Sequence, residues 1–285
     1  MSVAATVKPK KHGLKSGQHA VIHIILLIGA FIMIFPFIWM ILTSFKGAAE
    51  AMQIPPTIFP KAFNIKNYTS ITDKIPFFKI YGNTILSAGV TVLAQLTLCS
   101  MAAYAFARIE FPGRDVIFVI LLAVLMVPST FFILPQYRII TKAGLLNTIP
   151  ALFLPNLFSA MGTFLLRQFF MSLPRELEDA AIIDGCNRGQ VFAKIMLPLV
   201  TPGLITLGIL TFRFSWNDLM WPLIVNTSTD KMTLSAALSY LQGQYVTDTP
   251  GVMAGALMSV IPIIVLFAIF QKQFIEGVAH TGIKG

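Results

Sequence analysis

The chain has 285 residues, of which 56% are hydrophobic and 12% are charged, and its formal net charge is +9. An ordinary soluble domain is about one quarter charged, so this composition, with a mean hydropathy of +0.77, excludes a typical soluble protein. The Lys and Arg residues lie between long apolar runs rather than along one face. That distribution argues against a nucleic-acid partner and indicates a membrane protein.

The apolar runs predict six membrane-spanning helices. A helix needs roughly 20 apolar residues to cross the hydrocarbon of a bilayer, because unpaired backbone groups are too costly there. Six stretches meet this requirement: 20–45, 81–106, 116–137, 149–170, 202–225 and 251–270. The first is too long for a signal-peptide core, so it is predicted to remain as a transmembrane helix. Pro128, Pro135 and Pro155 predict kinks in the third and fourth spans.

Basic residues predict the orientation of these spans. The tail 1–19, the turn after the second span, the loop after the fourth span and the C-terminal end with Lys272 and Lys284 carry basic residues and fall on one side, with 276–285 as a cytoplasmic tail. The positive-inside rule assigns that side to the cytoplasm. The opposite segment, 46–80, contains five lysines, but long loops follow the rule weakly. We therefore expect both chain ends to be cytoplasmic and 46–80 to be an ordered extracytoplasmic loop.

The loop between the fourth and fifth predicted spans, 171–199, carries the most informative pattern. Pro174 is followed by three acidic residues, which predicts a helix start, and Gly185 predicts its end. A second helix is predicted by apolar residues at helical spacing, Phe192, Ile195, Met196 and Leu199. The apolar face of this helix pair would be covered either by the bundle itself or by a cytoplasmic partner, and the residues alone leave both interpretations open.

This loop resembles the EAA loop of ABC importer permeases, whose pattern runs Glu-Ala-Ala, two residues, Asp-Gly-Ala, then a phenylalanine and later a proline. Asp179 stands where glutamate is usual, and Cys186 stands where alanine is usual. In that family the loop forms a coupling helix that sits in a cleft of the ATPase subunit. The resemblance therefore implies ATPase docking by Glu178, Asp179, Ala180, Ala181, Asp184, Gly185, Phe192 and Pro198.

Further motifs are similar to the carbohydrate-uptake branch of these permeases. They are Asn83-Thr84, the stretches 102–108 and 111–114, Trp216-Asn217-Asp218, Trp221-Pro222-Leu223 and the ending 282–285. Together they cover roughly 81–285 and are similar to the shorter, second permease subunit of the maltose-type pair. The resemblance implies an all-α membrane protein with six transmembrane helices, a core permease domain at 81–275 and a cytoplasmic coupling loop.

The resemblance also implies what the chain assembles with and carries. The expected partners are a homologous longer permease subunit, two copies of an ABC ATPase and an extracytoplasmic solute-binding protein, in a bacterial or archaeal cytoplasmic membrane. The expected substrate is a carbohydrate. The sequence has no GxxxxGK(S/T) phosphate loop, and its four histidines show no metal-ligand spacing. We therefore expect no catalytic, cofactor or metal site in this chain, with ATP and Mg bound by the partner ATPase.

Six residues in or beside the predicted spans are candidates for a substrate pathway: Arg213, Trp216, Asn217, Asp218, Trp221 and Asn83. A charged side chain near the middle of a span costs about 2.5–3.5 kcal/mol, so Arg213 is expected to face protein or water. There it would either donate to sugar hydroxyls or an anionic group, or form an ion pair or carbonyl contacts with the partner subunit.

The two tryptophans flank Asn217 and Asp218, and such a set suits a sugar, because rings stack on its apolar faces while polar groups bind its hydroxyls. An aromatic belt at the membrane edge uses the same residue types, so both interpretations stay open. Asn83 and Gln95 are expected to form hydrogen bonds between helices.

Three alternative functions remain at this point. The nearest is a permease for glycerol phosphate or another polyol, whose anion Arg213 would meet. The second is a secondary transporter driven by an ion gradient, although the scarcity of intramembrane acidic residues argues against proton coupling. The third is a membrane enzyme or sensor, which would need a catalytic constellation or an attached soluble domain that the sequence does not contain.

Overall fold

A computed structural model describes residues 16–242 and 248–282, with side chains over 21–242 and 248–271. Within these ranges the chain is helical or irregular and contains no strand. The lysines of the predicted basic tail, which all precede residue 16, and the last three residues of the chain lie outside the described residues.

The described part of the chain contains fifteen α-helices. In chain order they are α1 (Ser16–Ser44), α2 (Ala48–Ala51), α3 (Lys66–Lys74), α4 (Phe77–Arg108), α5 (Arg114–Ala123), α6 (Ile133–Lys142), α7 (Ile149–Phe153), α8 (Ala160–Ser172), α9 (Glu176–Ile183), α10 (Arg188–Gln190), α11 (Leu197–Leu199), α12 (Thr201–Trp216), α13 (Met220–Val225), α14 (Leu234–Tyr240) and α15 (Thr249–Gly282). Short 3-10 turns occupy Val124–Met126, Ser129–Phe132, Leu154–Asn156 and Thr229–Lys231, and Val191–Met196 is a π-helix.

Three helical segments are each long and apolar enough to cross a bilayer: Val21–Ser44, Phe77–Arg108 and Thr249–Gln271. Three further pairs of helical segments reach that length only together, and each pair is sharply bent. Arg114–Met126 and Ser129–Lys142 meet at 100°, Ile149–Asn156 and Ala160–Ser172 at 47°, and Arg188–Leu199 and Thr201–Trp216 at 76°. If each bent pair is one span, the described residues contain up to six, the number that the sequence predicts. The first half of the last pair, Arg188–Leu199, belongs to the predicted loop 171–199 and not to the predicted span 202–225.

Prolines account for two of the bends, as the sequence predicted. Pro128 lies at the 100° bend and Pro155 lies in the 3-10 turn of the 47° bend. A proline bends a helix at such a position because it removes a backbone donor and crowds the preceding turn. Pro135 behaves differently, since it is the third residue of α6. At that position the backbone N–H has no intrahelical partner to lose, so Pro135 is accommodated without a kink.

The helix of the fifth predicted span is interrupted before the predicted end of that span. Its helix, α12, ends at Trp216, and a separate short helix, α13, follows. Asn217 Nδ2 donates to the Arg213 carbonyl at 2.9 Å, and Asp218 Oδ1 accepts from the Trp221 N–H at 3.4 Å. These side chains satisfy backbone groups at the break and so end one helix and begin the next, which is the usual effect of Asn and Asp in helices.

Helix α4 is the centre of the bundle and packs against α8 and α12, while α15 packs on α1, α3 and α12. Buried apolar residues form three clusters. Two of them contain α4 residues, such as Phe77 and Ile80 in one and Cys99 and Tyr104 in the other, and the third joins α6, α7 and α13. The shared helix α4 therefore connects the cluster beneath the 171–199 loop to the cluster at the opposite end of the bundle.

The segment between α1 and α4 is held by a buried lysine. Lys46 is 2% exposed, its ammonium donates to the Thr57 carbonyl, and its Nζ lies 4.6 Å from the centre of the Trp39 ring. Asn67 Nδ2 donates to the carbonyls of Ser44 and Lys46 at 2.7 and 2.8 Å. These contacts fold the segment back onto the end of α1 as an ordered unit.

Close packing between α8 and α12 gives a first testable prediction. A Cβ added to Gly203 of α12 would lie 2.7 Å from Phe169 Cδ2 of α8. We expect Gly203→Ala to destabilise the protein by about 1–3 kcal/mol, because the ring must leave its packed position. Thermal unfolding of the purified protein measures the effect. Gly82→Ala in α4 is the matched control, since open space surrounds its Cβ position, and an equal loss in both variants would contradict the prediction.

Candidate functional site

The first half of the 171–199 loop ends in a glycine-dependent turn. Gly185 has φ +86°, in the left-handed region that glycine adopts without a steric penalty. The N–H of Cys186 donates to the Ala181 carbonyl and the N–H of Gly185 donates to the Ile182 carbonyl, both at 3.0 Å. This is the Schellman arrangement, which satisfies the last carbonyls of a helix, and it confirms the predicted end of α9 at Gly185.

The second half of the loop begins with a capping box that the sequence analysis missed. The Gln190 N–H donates to Asn187 Oδ1 and the Asn187 N–H donates to Gln190 Oε1, both at 2.9 Å. An N-cap residue followed three positions later by Gln is a recognisable signal for a helix start. The pair fixes the angle at which the chain leaves the Gly185 turn.

The predicted apolar face of the second helix is only partly realised. Met196 is buried and Phe192 and Ile195 are half-buried, but Leu199 is 46% exposed. The chain from Val191 to Met196 is π-helical, and its wider turns shift the register of the face. The α-helical spacing of three and four residues therefore correctly predicted the covered positions Phe192, Ile195 and Met196, but it wrongly placed Leu199 on the same face.

One face of the loop packs against the bundle. Ala181 is buried among residues of α4 and α8. The Phe192 ring lies 5.2 Å from the Tyr104 ring and 6.4 Å from the Phe170 ring, measured between centroids. Among the residues that the family resemblance linked to ATPase docking, Ala181 and Phe192 thus form the inner side of the loop.

A buried ion pair joins the loop to α4. Arg108 Nε lies 3.1 Å from Glu178 Oε1, and their side chains are 5% and 14% exposed, although the two atoms are not aligned for a hydrogen bond. Arg108 Nη2 donates to the carbonyls of Phe170 and Leu173, both at 2.5 Å. Tyr104 Oη donates to Glu178 Oε2 at 3.3 Å. One guanidinium therefore ties together the ends of α4 and α8 and the start of α9.

Sequence reasoning missed this pair because each member already had another interpretation. Arg108 was counted with the positive charges beside the spans, and Glu178 with the acidic residues of a helix start. The available signal was that a lone arginine ends a 32-residue helix while the following loop helix begins with three carboxylates. Which carboxylate turns inward depends on the bends between α4 and α9, and helical spacing does not predict them.

The other face of the loop is open in this chain. Its exposed residues include Leu177, Asp179, Ala180, Ile182, Ile183, Asp184, Gly185 and Pro198, with the cations Arg175 and Arg188 at its margin. Ile183 is 85% exposed and Ile182 is 52% exposed, so this outer face carries two large apolar side chains beside two carboxylates. A cleft of ≈ 180 Å³ at its edge is lined by Arg108, Arg175, Glu178 and Arg188, among others. The sequence analysis left open whether the bundle or a cytoplasmic partner covers the apolar side chains of this loop. In the structure the bundle covers the inner face, and the outer face is left uncovered by the described residues.

The two candidate tryptophans are buried within this chain. Trp216 Nε1 donates to the Ser259 carbonyl at 3.0 Å, and its ring is stacked on Phe212 with centroids 5.3 Å apart. Trp221 Nε1 donates to the Ala151 carbonyl at 2.8 Å. Both indole N–H groups are thus satisfied inside the bundle, as buried tryptophans require. The two tryptophans are only 2% and 6% exposed.

The remaining candidates differ in exposure. Asn83 is buried, Asp218 is half-buried, and Asn217 and Arg213 are exposed. Gln95, which the sequence assigned to helix packing, donates to the Asn156 carbonyl at 2.7 Å and accepts from Thr211 Oγ1 at 2.7 Å. The predicted interhelical hydrogen bonds of Gln95 are therefore present.

Asn83 ties α4 to the segment before α14. Its Nδ2 donates to the carbonyls of Asp230 and Met232 at 2.9 and 3.2 Å. Beside it, Lys79 Nζ lies 2.7 Å from Asp230 Oδ2, and this hydrogen bond holds the pKa of Asp230 below its usual value. Asn83 therefore has the packing role that was predicted, but its acceptors lie in the segment before α14 and not in a second membrane helix.

We expect Asn83→Ala to destabilise the protein by about 1–3 kcal/mol, because two buried carbonyls lose their donor. Thermal unfolding measures the loss, and Asn217→Ala is the matched control, since exposed Asn217 donates only within its own helix end. A raised substrate concentration for half-maximal uptake at unchanged stability would contradict a packing role for Asn83.

Arg213 lies in a groove between α4, α8 and α12. The groove has a volume of ≈ 370 Å³, and its polar lining includes Gln95, Asn156, Ser159, Thr211 and Arg213. Among the residues with described side chains, Arg213 has no ion-pair or side-chain hydrogen-bond partner. It is therefore the one candidate that combines exposure to a groove with an unmatched charge within the described residues.

Comparisons of the sequence and of the fold with known proteins lead to the same family. The family described as "Binding-protein-dependent transport system inner membrane component" matches residues 95–280. The arabinooligosaccharides transport system permease protein of Halalkalibacterium halodurans is 38% identical over 259 residues, which are 90% of this chain and 93% of that protein. The sulfoquinovosyl glycerol transport system permease protein of Agrobacterium fabrum is 33% identical over 254 residues, 88% of this chain and 89% of that protein.

A solved structure has the same fold. It is a bacterial ABC transporter involved in the import of the acidic polysaccharide alginate, and one of its chains matches with a TM-score of 0.79 and 23% identity, covering 92% of this chain and 99% of that chain. The all-α membrane fold and the family resemblance found from the 171–199 motif are both confirmed. This chain belongs to the family of inner membrane components of binding-protein-dependent transport systems.

Proposed function

We propose that this chain is one of two permease subunits that form the translocation pathway of an ATP-driven carbohydrate importer. Permeases named for arabinooligosaccharides and for sulfoquinovosyl glycerol are its relatives, and the structural neighbour imports alginate. All three names contain a carbohydrate, which supports a carbohydrate cargo for this chain. The proposed assembly contains a homologous longer permease, two copies of an ABC ATPase and an extracytoplasmic solute-binding protein.

The observation that carries the proposal is the two-sided loop at 171–199. Its inner face is fixed to the bundle by the Arg108–Glu178 pair and the Phe192 contacts, while its outer face exposes Ile182 and Ile183. Apolar side chains exposed on a rigid turn and rimmed by charged side chains, here carboxylates and the exposed Arg175 and Arg188, are typical of a protein interface. We assign this outer face to the ATPase, which binds ATP and Mg in our proposal and hydrolyses the nucleotide.

The same contacts support a mechanism for transmitting movement. The guanidinium of Arg108 contacts carbonyls at the end of α8 and the first turn of α9 at once. A shift of the loop, when two ATPase copies close on ATP, would therefore move α4 and α8 as connected bodies. Import further requires that nucleotide and substrate differ in affinity for the inward-open and outward-open states.

The position of this loop supports a proposed orientation of the chain. Arg108, Arg175 and Arg188 line one cleft beside Glu178, so the basic turn after α4 and the basic loop after α8 lie at the same end of the bundle. The positive-inside rule assigns that end to the cytoplasm. In the proposed topology both chain termini are cytoplasmic, the chain crosses a bacterial or archaeal cytoplasmic membrane six times, and Lys46 lies outside.

Purification in mild detergent through a tag on this chain tests the proposal. Recovery of a second permease and an ATPase, with ATP hydrolysis stimulated by a sugar-loaded binding protein, is the expected result. A chain that purifies alone and supports uptake driven by an ion gradient would favour the secondary transporter instead. Stimulation by glycerol phosphate or another polyol in place of a sugar would keep the ATP-driven assembly and change its cargo.

A further inference from the structure

We propose that Arg213 binds an anionic group of the transported molecule, a carboxylate, sulfonate or phosphate, so that the importer prefers an acidic carbohydrate to its neutral counterpart. This inference rests on the proposed function and narrows its substrate class.

Arg213 lies deep in the membrane-spanning part of the protein. Thr211 Oγ1 of α12 donates to Gln95 Oε1 of α4 at 2.7 Å, so these two residues are at the same level. Gln95 lies just past the middle of α4, which runs from Phe77 to Arg108. Arg213 is two residues beyond Thr211, about 3 Å along the helix axis. The contact between α4 and α12 therefore places Arg213 level with the middle of α4, although α12 itself ends one turn later at Trp216.

The charge of Arg213 is unmatched among the residues that the structure describes. The nearest acidic residue along the chain, Asp218, accepts from the Trp221 N–H and is not paired with Arg213. A guanidinium at this depth costs about 2.5–3.5 kcal/mol even on the gentler insertion scale. Intramembrane charges accordingly face water-filled cavities or pairing partners and mark substrate pathways. An anion that arrives with the substrate would supply the missing partner.

The groove suits a hydroxylated anion. Its volume of ≈ 370 Å³ lies within the range of about 300–1,000 Å³ typical of ligand pockets. Asn156 and Ser159 provide polar groups for hydroxyls, and the rings of Phe158 and Phe214 also line it, which suits the apolar faces of a sugar. The planar guanidinium presents paired N–H donors that match two oxygens of a carboxylate, sulfonate or phosphate.

The test uses the complete importer, with its partner permease, ATPase and binding protein, reconstituted in lipid vesicles. Uptake is compared for three acidic probes and their neutral counterparts: an oligogalacturonide and a galacto-oligosaccharide, sulfoquinovosyl glycerol and glucosyl glycerol, and glycerol 3-phosphate and glycerol. The same binding protein serves every variant, so a change between variants arises in the permease. The phosphate pair distinguishes a polyol phosphate from an acidic sugar as the source of the anion.

We expect the wild type to prefer an acidic probe and Arg213→Gln to lower the uptake of that probe about tenfold or more, because a charge-assisted hydrogen bond is lost. Arg213→Lys should have an intermediate effect, since it keeps the charge but loses the paired donors. Arg138→Gln, at an exposed arginine of α6 outside the groove, should leave the preference unchanged.

Three results would overturn the inference. The first is an importer that takes up only the neutral probes. The second is an acidic preference that Arg213→Gln leaves intact. The third is loss of the partner permease from the purified Arg213→Gln complex with rescue by Arg213→Lys, which would mean that Arg213 pairs with an acidic residue of that subunit. Failure of all six probes in a complex that purifies without an ATPase would instead count against the proposed function itself.

Discussion

Arg108→Ala is expected to destabilise the protein by about 3 kcal/mol, the lower end of the range for a broken buried pair, because the largely buried Glu178 carboxylate loses its ion-pair partner and keeps only the cleft arginines Arg175 and Arg188 nearby. The carbonyls of Phe170 and Leu173 also lose the donor that both share. Since the same guanidinium holds α9 against α4 and α8, the loop should lose its fixed position. We expect a lower unfolding temperature of the purified complex and a loss of uptake that exceeds the loss of ATP hydrolysis.

Two further variants separate the ion pair from a general effect of removing an arginine. Arg114→Ala is the matched control, since Arg114 lies in the same turn but pairs with Asp115, whose side chain is 75% exposed; such surface pairs contribute only about 0–1 kcal/mol. Replacing both Arg108 and Glu178 by leucine should recover part of the stability, because no charge remains buried alone. An Arg108→Ala protein as stable as Arg114→Ala would show that the buried pair contributes nothing.

The sequence predicted the features of this fold that depend on neighbouring residues. The apolar runs, the proline bends at Pro128 and Pro155 and the end of α9 at Gly185 follow from local rules of length, missing donors and backbone freedom. The capping box of Asn187 and Gln190 belongs to the same class and was simply overlooked. These elements need no knowledge of how distant helices meet.

Contacts between helices that are distant in sequence could not be predicted from such local rules. Whether Glu178 or Asp179 turns inward depends on the two bends between α4 and α9, and whether Trp216 faces a pathway or Ser259 depends on how α15 packs on α12. Composition made these residues candidates because rings, amides and carboxylates serve both ligands and helix packing. Arg213 is the candidate for which the cost of an unpaired charge in lipid predicted the need for a partner.

Gly185→Val should abolish most uptake through the backbone alone. A Cβ at Gly185 would meet no atom within 4 Å, yet φ is +86°, where a side chain costs about 1–2 kcal/mol and a branched one is especially disfavoured. The turn should open and release the hydrogen bond from Cys186 to Ala181, which misplaces Ile182 and Ile183 on the proposed docking face. Uptake and sugar-stimulated ATP hydrolysis by the reconstituted complex measure the outcome.

A Gly185→Asn variant distinguishes two reasons why glycine is needed at position 185: the left-handed backbone, and room for a closely approaching ATPase. Asn adopts the left-handed region more readily than other residues, so Gly185→Asn should retain much of the activity if only the backbone matters. If Gly185→Asn fails as Gly185→Val does, while Gly189→Ala in α10 stays active, the ATPase must approach too closely for any side chain at 185. If the Gly185→Val complex kept full uptake and full sugar-stimulated ATP hydrolysis, both explanations would be refuted, because neither the turn nor its lack of a side chain would then be needed for docking.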